Sequence, residues 1–229
     1  MSTISGISAS AGKTRDFFGD DAQSPPTLDA LAAMAASCTR CDLSRTRQHA
    51  VFAQGNPEAS VMLIGEGPGQ QEDETGIPFV GKAGQLLTQI LASVGIERPN
   101  DIYICNTVKC RPPQNRKPEP GEMEACFPYL VGQIHWVKPK LILLAGATAV
   151  QDILKTKLGI TKIRGQWFDT PFNGAKAMPI FHPSYLLRNQ SKAQGSPKWL
   201  MWQDIREVRR MMDEMGLPVS CTAVAVDSK

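Results

Sequence analysis

The sequence predicts an α/β fold in which a parallel sheet of four strands is covered by helices on both faces. Four short apolar runs are typical of buried strands, and segments with helical periodicity alternate with them. Such alternation favours parallel strands joined by helical crossovers. The length of 229 residues, with 42% hydrophobic and 21% charged residues, suits one domain and excludes a wholly disordered chain.

Five helices and four strands are predicted between two terminal tails. Residues 1–26 are rich in Ser, Gly, Asp and Pro and are expected to form a flexible tail. Thr27 is a suitable N-cap for the first helix, and Pro179 should make the fourth strand irregular or peripheral. A single domain is expected over 27–213, followed by a tail over 214–229. The predicted helices are 27–37, 83–93, 119–137, 147–155 and 197–215, and the predicted strands are 61–65, 101–105, 141–145 and 177–181.

Charge and hydropathy limit where the protein acts. The formal net charge of +3 permits a nucleic-acid partner without requiring one. The apolar run at residues 141–145 has only five residues, far too few to span a membrane. The first 21 residues lack the apolar core of a secretory signal. We therefore expect a cytoplasmic protein with no membrane partner.

The cysteines form a pattern typical of a metal centre. Cys38 and Cys41 are a CxxC pair, and Cys110 and Cys126 supply two more thiols further along the chain. Four thiolates in two separated pairs suit zinc or an iron–sulfur cluster. The alternative is a set of buried, unliganded thiols, because free cysteine packs as a small hydrophobic residue. Of the six cysteines, the remaining two are assigned to the core (Cys105) and to the C-terminal tail (Cys221).

Two glycine-rich segments follow the first predicted strand. Residues 65–73, GEGPGQQED, allow a ligand to approach the backbone closely, although they match neither a dinucleotide-binding nor a Walker A motif. Glu66 is difficult to explain as a structural residue among glycines. In residues 76–84, GIPFVGKAG, Phe79 is either a core anchor for the loop or a stacking platform for a planar ligand.

Polar residues follow two further strands. Asn106 either forms an Asx turn or reads the edge of a base, since an amide both donates and accepts hydrogen bonds. Lys109 and Arg111 lie in a basic stretch that suits phosphates, or forms an ordinary solvated loop. His182 is held by the proline after it, with Arg188 close behind, so a functional role competes with a purely structural one. Ligands of parallel sheets bind beyond the carboxyl ends of the strands, where all these segments should lie.

Taken together, these segments resemble the family 4 uracil-DNA glycosylases, the iron–sulfur kind. The resemblance covers about residues 27–213 and is carried by GEGPG…GIPFVGKAGQLL, CNTVKCRPPQNR, HPSYLLR and the four cysteines. It implies a three-layer α/β/α sandwich around a four-stranded parallel sheet. It also implies a DNA-repair hydrolase that flips uracil out of DNA and cleaves its N-glycosidic bond, leaving an abasic site.

The resemblance assigns roles to individual residues. It implies that Cys38, Cys41, Cys110 and Cys126 hold a [4Fe–4S] cluster. A uracil pocket is implied for Gly65, Glu66, Gly67, Phe79, Asn106 and His182. Phe79 would stack on the base, Asn106 would read its O4/N3 edge and His182 would hydrogen-bond O2. Glu66, or else Glu72, would stabilise the sugar cation, because Gly67 stands where better-known uracil glycosylases carry an Asp. Lys109, Arg111 and Arg188 would contact DNA phosphates.

Three hypotheses compete with that of a glycosylase that turns over. Some relatives trap uracil-DNA covalently through a histidine in a Lys-Arg-Arg-Ile-His-like loop; the corresponding stretch here, RPPQNRKP, has no histidine, so turnover is expected. The chain could instead be a non-catalytic nucleic-acid-binding module, or a zinc-stapled nucleotide-binding domain. As a glycosylase it is expected to act as a monomer on single- or double-stranded uracil-containing DNA, associated with the nucleoid when bound.

Overall fold

The computed structural model describes residues 27–220, and the predicted tail over 1–26 and Cys221 lie outside them. Within this range the chain forms an α/β sandwich built on one mixed sheet. The strands are β1 (Gln54–Gly55), β2 (Val61–Gly65), β3 (Ile102–Asn106), β4 (Leu141–Ala145), β5 (Phe168–Asp169) and β6 (Lys176–Ile180). The helices are α1 (Leu28–Ala36), α2 (Gln70–Thr75), α3 (Lys82–Ala92), α4 (Pro120–Val137), α5 (Ala147–Leu154), α6 (Ile160–Ile163), α7 (Pro183–Arg188) and α8 (Pro197–Glu214).

The sheet has six strands in the order β1-β3-β2-β4-β6-β5, rather than the four expected. The central β3, β2, β4 and β6 are parallel, as predicted. The additional β1 and β5 are two-residue antiparallel strands at the edges. Strands this short carry no readable alternation of apolar residues, so the sequence pattern could not reveal them.

Helices cover both faces of the sheet, because the strand side chains alternate between two buried layers. Val61 and Leu63 of β2 point toward α3, α7 and α8, whereas Met62 and Ile64 point toward α4 and α5. A third apolar cluster fills the space between α1 and α4. The predicted three-layer α/β/α arrangement is therefore confirmed, and α1 adds a partial outer layer on one side.

Packing continues beyond the last helix. Leu217 and Val219 pack against the larger core cluster, and Ser220 donates two hydrogen bonds of 2.7 Å to Asp101 Oδ1, from its backbone N–H and from its hydroxyl. Asp101 immediately precedes β3, so this segment is fastened at the amino ends of the strands. Along residues 27–220, none of the helices combines the length and the apolar character needed to cross a bilayer.

Candidate active site

A cleft of about 420 Å³ opens at the carboxyl ends of the parallel strands. Glu66 follows β2, Asn106 ends β3, Gly146 follows β4 and His182 lies just beyond β6, and all four line the cleft. Parallel strands place their carboxyl ends at one edge of the sheet, and ligands bind there. The strand-end segments that the sequence singled out therefore meet at one place.

Phe79 forms one wall of this cleft in an unusual backbone conformation. Its φ of 54° is in the left-handed region, which is rare for a bulky residue and costs on the order of 1–3 kcal/mol. The ring lies over Gly65, where a Cβ atom would come within 2.6 Å of Phe79 Cζ and 2.4 Å of Asn106 Oδ1. The ring centroid is 5.7 Å from that of His182. Gly65 is thus required for close packing of the two flanking side chains.

Asn106 presents a buried and unsatisfied acceptor. Its side chain is almost fully buried, and Oδ1 has no hydrogen-bond partner among the described residues. Leaving such an atom unpaired costs about 1–3 kcal/mol, so a ligand that donates a hydrogen bond here would be stabilised. The backbone carbonyl of Asn106 is held at 2.6 Å by Lys109 Nζ.

His182 is a neutral hydrogen-bond donor in the cleft. Burial lowers its pKa to about 4, with a further lowering by the charge of Arg188 and an opposing effect of Glu72. The backbone N–H of Ser184 donates to Nδ1 at 3.2 Å, so this nitrogen carries the lone pair. Nε2 therefore carries the proton of the neutral ring and is the donor left for a ligand.

The two candidate carboxylates have different surroundings. Glu66 lies partly exposed at the cleft, and its Oε2 accepts a hydrogen bond from the buried hydroxyl of Thr148 in the first turn of α5. Glu72 also borders the cleft, but its Oε2 binds the N–H of Gly69 at 3.1 Å and its Oε1 binds the N–H groups of Val80 and Gly81, both at 2.9 Å. Both oxygens of Glu72 are thus bound to backbone N–H groups, and its role as an alternative catalytic carboxylate stays a prediction.

Close packing explains why residue 67 is a glycine. A Cβ atom at this position would lie 2.8 Å from Val108 Cγ2, so the glycine loop packs directly on the segment that follows β3.

The basic residues divide into buried and rim positions. Lys109 is 1% exposed, and its ammonium donates to Asn106 O and Gln133 Oε1, both at 2.6 Å. The prediction that Lys109 contacts DNA phosphate is therefore wrong, because no phosphate can reach it. Arg188 lines the cleft, and Arg111 is half-buried with its Nε donating to Asn115 Oδ1 at 2.8 Å.

Arg98 and Thr148 were missed by sequence reasoning. Arg98 Nη1 donates to Phe79 O at 2.5 Å, and Nη2 donates to Pro78 O. Thr148 supports Glu66 from 82 positions away along the chain. Neither lies in a motif with a functional spacing, so no local signal could have identified them.

The four predicted cysteine ligands line a separate small cavity between α1 and α4. Arg47 Nη1 donates to Cys110 Sγ at 3.0 Å, and the N–H of Lys109 donates to Cys126 Sγ at 3.3 Å. Cys105 is buried elsewhere, in the sheet core, as predicted.

The chemistry of this cavity fits an iron–sulfur cluster. Within residues 27–220, no group of three or more His, Cys, Asp or Glu side chains forms a site for a single metal ion. A [4Fe–4S] cluster is held by four thiolates, which is the number and type of donor that lines this cavity. Burial raises the pKa of the Cys126 thiol to about 12 and also raises the pKa of the Cys110 thiol. Burial thus favours the neutral thiols, and a bound metal group would stabilise them as thiolates.

Comparison with known proteins identifies the family. The sequence profile of the uracil DNA glycosylase superfamily matches residues 52–206. The chain is 42% identical over 190 residues to a type-4 uracil-DNA glycosylase of Thermotoga maritima, covering 82% of this chain and 96% of the relative. It is 40% identical over 167 residues to that of Archaeoglobus fulgidus, covering 70% and 83%, and 37% identical over 193 residues to that of Sulfurisphaera tokodaii, covering 81% and 84%. The resemblance found in the sequence is confirmed: the chain belongs to the uracil-DNA glycosylase superfamily and, within it, to the type-4 uracil-DNA glycosylases.

Proposed function

We propose that this protein hydrolyses the N-glycosidic bond of uracil in DNA, releases free uracil and leaves an abasic site, the first step of base excision repair. One observation carries the proposal: the unpaired Oδ1 of Asn106 lies in the same cleft as the ring of Phe79 and the neutral imidazole of His182. A planar base with a donor on one edge and a carbonyl on another satisfies these groups together.

Asn106 selects the base. The N3–H of uracil donates to Oδ1, and the side-chain NH₂ donates to O4. Cytosine presents an acceptor at N3 and an amino donor at position 4, so its pattern opposes the amide at both points. A mismatch that leaves buried polar groups unpaired discriminates strongly between substrates.

Phe79 and His182 act on the flipped base. The Phe79 ring supplies a surface for stacking once uracil leaves the helix. His182 Nε2–H hydrogen-bonds O2, where negative charge accumulates as the glycosidic bond breaks. A donor already oriented toward a developing anion lowers the barrier by about 3–4 kcal/mol. A neutral donor also avoids the cost of a buried cation in the resting enzyme.

Glu66 supplies negative charge on the sugar side. Thr148 occupies one of its oxygens and thereby orients the carboxylate. The charge stabilises the oxocarbenium-like sugar and orients the attacking water.

DNA is bound at the rim of the cleft. Arg188 lines the cleft, and Arg111 lies in the loop after β3. We assign both to phosphate contacts, which make affinity fall as salt rises.

Cys38, Cys41, Cys110 and Cys126 would hold a [4Fe–4S] cluster. When bound, the cluster supplies a structural cross-link, since hydrolysis of a glycosidic bond transfers no electrons. Cys110 lies four residues after Asn106, so the cross-link would fix the segment that leaves the base-reading position.

The proposed activity predicts release of free uracil from oligonucleotides. Chromatography of the released base should detect uracil from a uracil-containing strand, single or paired, and none from matched strands with thymine or cytosine. A strand that contains hypoxanthine tests whether the pocket also accepts another deaminated base. If iron-loaded protein in stoichiometric excess releases no uracil, the proposed function is wrong.

Replacing His182 by Ala should slow the chemical step. The hydrogen bond to O2 strengthens mainly in the transition state, so single-turnover cleavage should fall on the order of 10²- to 10³-fold while DNA affinity stays nearly unchanged. His135→Ala, on α4 away from the cleft, is the matched control. Wild-type cleavage by His182→Ala at saturating enzyme would contradict this role.

The pH dependence should reflect a histidine that stays neutral. An exposed histidine titrates near pH 6.5, whereas the pKa of His182 is about 4. The single-turnover rate should therefore show no break between about pH 6 and 7 from this residue, and should fall only as pH approaches 4, where the ring gains its proton. A break near pH 6.5 that disappears in His182→Ala would show the opposite.

The four cysteines should behave as one set. Replacing Cys38, Cys41, Cys110 or Cys126 by Ala should lose iron and lower thermal stability, whereas Cys105→Ala should keep the metal. Elemental analysis for iron and zinc, with the visible absorbance of the purified protein, measures this outcome. Full iron content in Cys110→Ala, or zinc in place of iron in the wild type, would refute the assignment.

A further inference from the structure

The backbone around Phe79 is held between two oppositely charged side chains. We call residues 78–81 the Phe79 loop. It joins α2 to α3 and carries the left-handed Phe79. Gly84 allows α3 to pack against it, because a Cβ there would lie 1.7 Å from Phe79 O.

Glu72 holds the donor side of the loop. Its Oε1 accepts from the N–H groups of Val80 and Gly81, both at 2.9 Å. Glu72 is itself fixed, because its Oε2 binds the N–H of Gly69 at the start of α2. The next residue, Asp73, anchors α2 from its other side by accepting the N–H groups of Gln48 and His49 at 2.9 and 3.3 Å.

Arg98 holds the acceptor side. Its guanidinium donates to the carbonyl oxygens of Pro78 and Phe79, and Nη1 is also 3.3 Å from Thr88 Oγ1. The planar fork of arginine suits two neighbouring carbonyls in a way that a lysine ammonium cannot reproduce.

The peptide unit between Phe79 and Val80 is gripped at both ends. Its carbonyl faces the Arg98 cation and its N–H faces the Glu72 anion, so both charges favour the same orientation of the peptide dipole. The preceding peptide unit is held through Pro78 O. Since these units flank the Phe79 Cα, their orientations fix φ and ψ of that residue and the direction of its ring.

We propose that Glu72 and Arg98 are positioning residues that together hold the Phe79 ring in the stacking position for the base. The proposal rests on the proposed function, in which Phe79 stacks on uracil. It also assigns Glu72, the second glutamate of the GEGPGQQED segment, a role through the loop rather than at the sugar.

A double-mutant cycle tests this assignment. Arg98→Met and Glu72→Gln should each slow single-turnover uracil release about 10- to 100-fold and weaken inhibition by free uracil, because a small misplacement of a substrate-contacting group is costly. Binding to abasic-site DNA, which lacks the base, should change less than about twofold. Arg98→Lys keeps the charge but loses the fork, and should fall between wild type and Arg98→Met.

Combining these variants with Phe79→Ala shows whether Glu72 and Arg98 act through the Phe79 ring or directly on the substrate. If both residues act through the Phe79 ring, adding Arg98→Met or Glu72→Gln to Phe79→Ala should cause less than about a twofold further loss, since coupled residues are not additive. Glu74→Gln on the same helix and Arg206→Lys on α8 are exposed controls that should leave the rate unchanged. Full, additive losses in the Phe79→Ala background would overturn the proposal, and for Glu72 would restore direct action on the substrate.

A readout without substrate keeps this inference separate from the activity. Amide hydrogen exchange at Val80 and Gly81 should be slow in the wild type and faster in Glu72→Gln and Arg98→Met, with α3 and the sheet unchanged. Equal amide exchange rates at Val80 and Gly81 in all three proteins would refute the positioning role of Glu72 and Arg98, even if uracil is released. Absence of uracil release by the wild type would instead refute the proposed function and leave this measurement interpretable.

Discussion

The shared direction of the four central strands is the constraint on which the site depends. Because β3, β2, β4 and β6 run parallel, the residues that follow them lie at one edge of the sheet. Chain order differs from spatial order: the chain passes from β2 outward to β3 and then crosses back past β2 to β4, and the helices of these two crossovers, α3 and α4, lie on opposite faces of the sheet. A crevice opens where they diverge, and its walls come from residues as distant in sequence as Glu66 and His182.

Residues 106–110, at and just after the end of β3, contribute side chains to both the cleft and the cysteine cavity. Asn106 faces the cleft, Lys109 is buried beneath it, and Cys110 lines the cavity. The Lys109 ammonium holds the Asn106 carbonyl while its backbone N–H reaches Cys126 Sγ. Disturbance of the cavity would therefore be felt at Asn106, the residue proposed to read the base.

The local sequence pattern predicted the strands of the sheet well, but it predicted the contacts of the charged side chains poorly. The bounds of β2 and β4 match the prediction because continuous apolar runs flanked by polar residues define buried strands. Charged residues were harder, since their type does not reveal what they contact. Lys109 sits among basic residues in sequence yet bonds internal oxygens, and Glu72 binds backbone although it borders the cleft. Arg98 acts on a loop some twenty positions earlier, a contact created only by folding.

The fastening of Ser220 to Asp101 sets the geometry available to engineered fusions. Asp101 lies at the amino ends of the strands, on the edge of the sheet opposite the cleft. A fluorescent protein or affinity tag joined after residue 220 would therefore start on the far side of the domain and leave the approach to a long DNA strand open. Shortening the chain to the end of α8 would have a different effect, because it removes Leu217 and Val219 from the core they cover. Trimmed versions made for crystallisation should accordingly keep this segment.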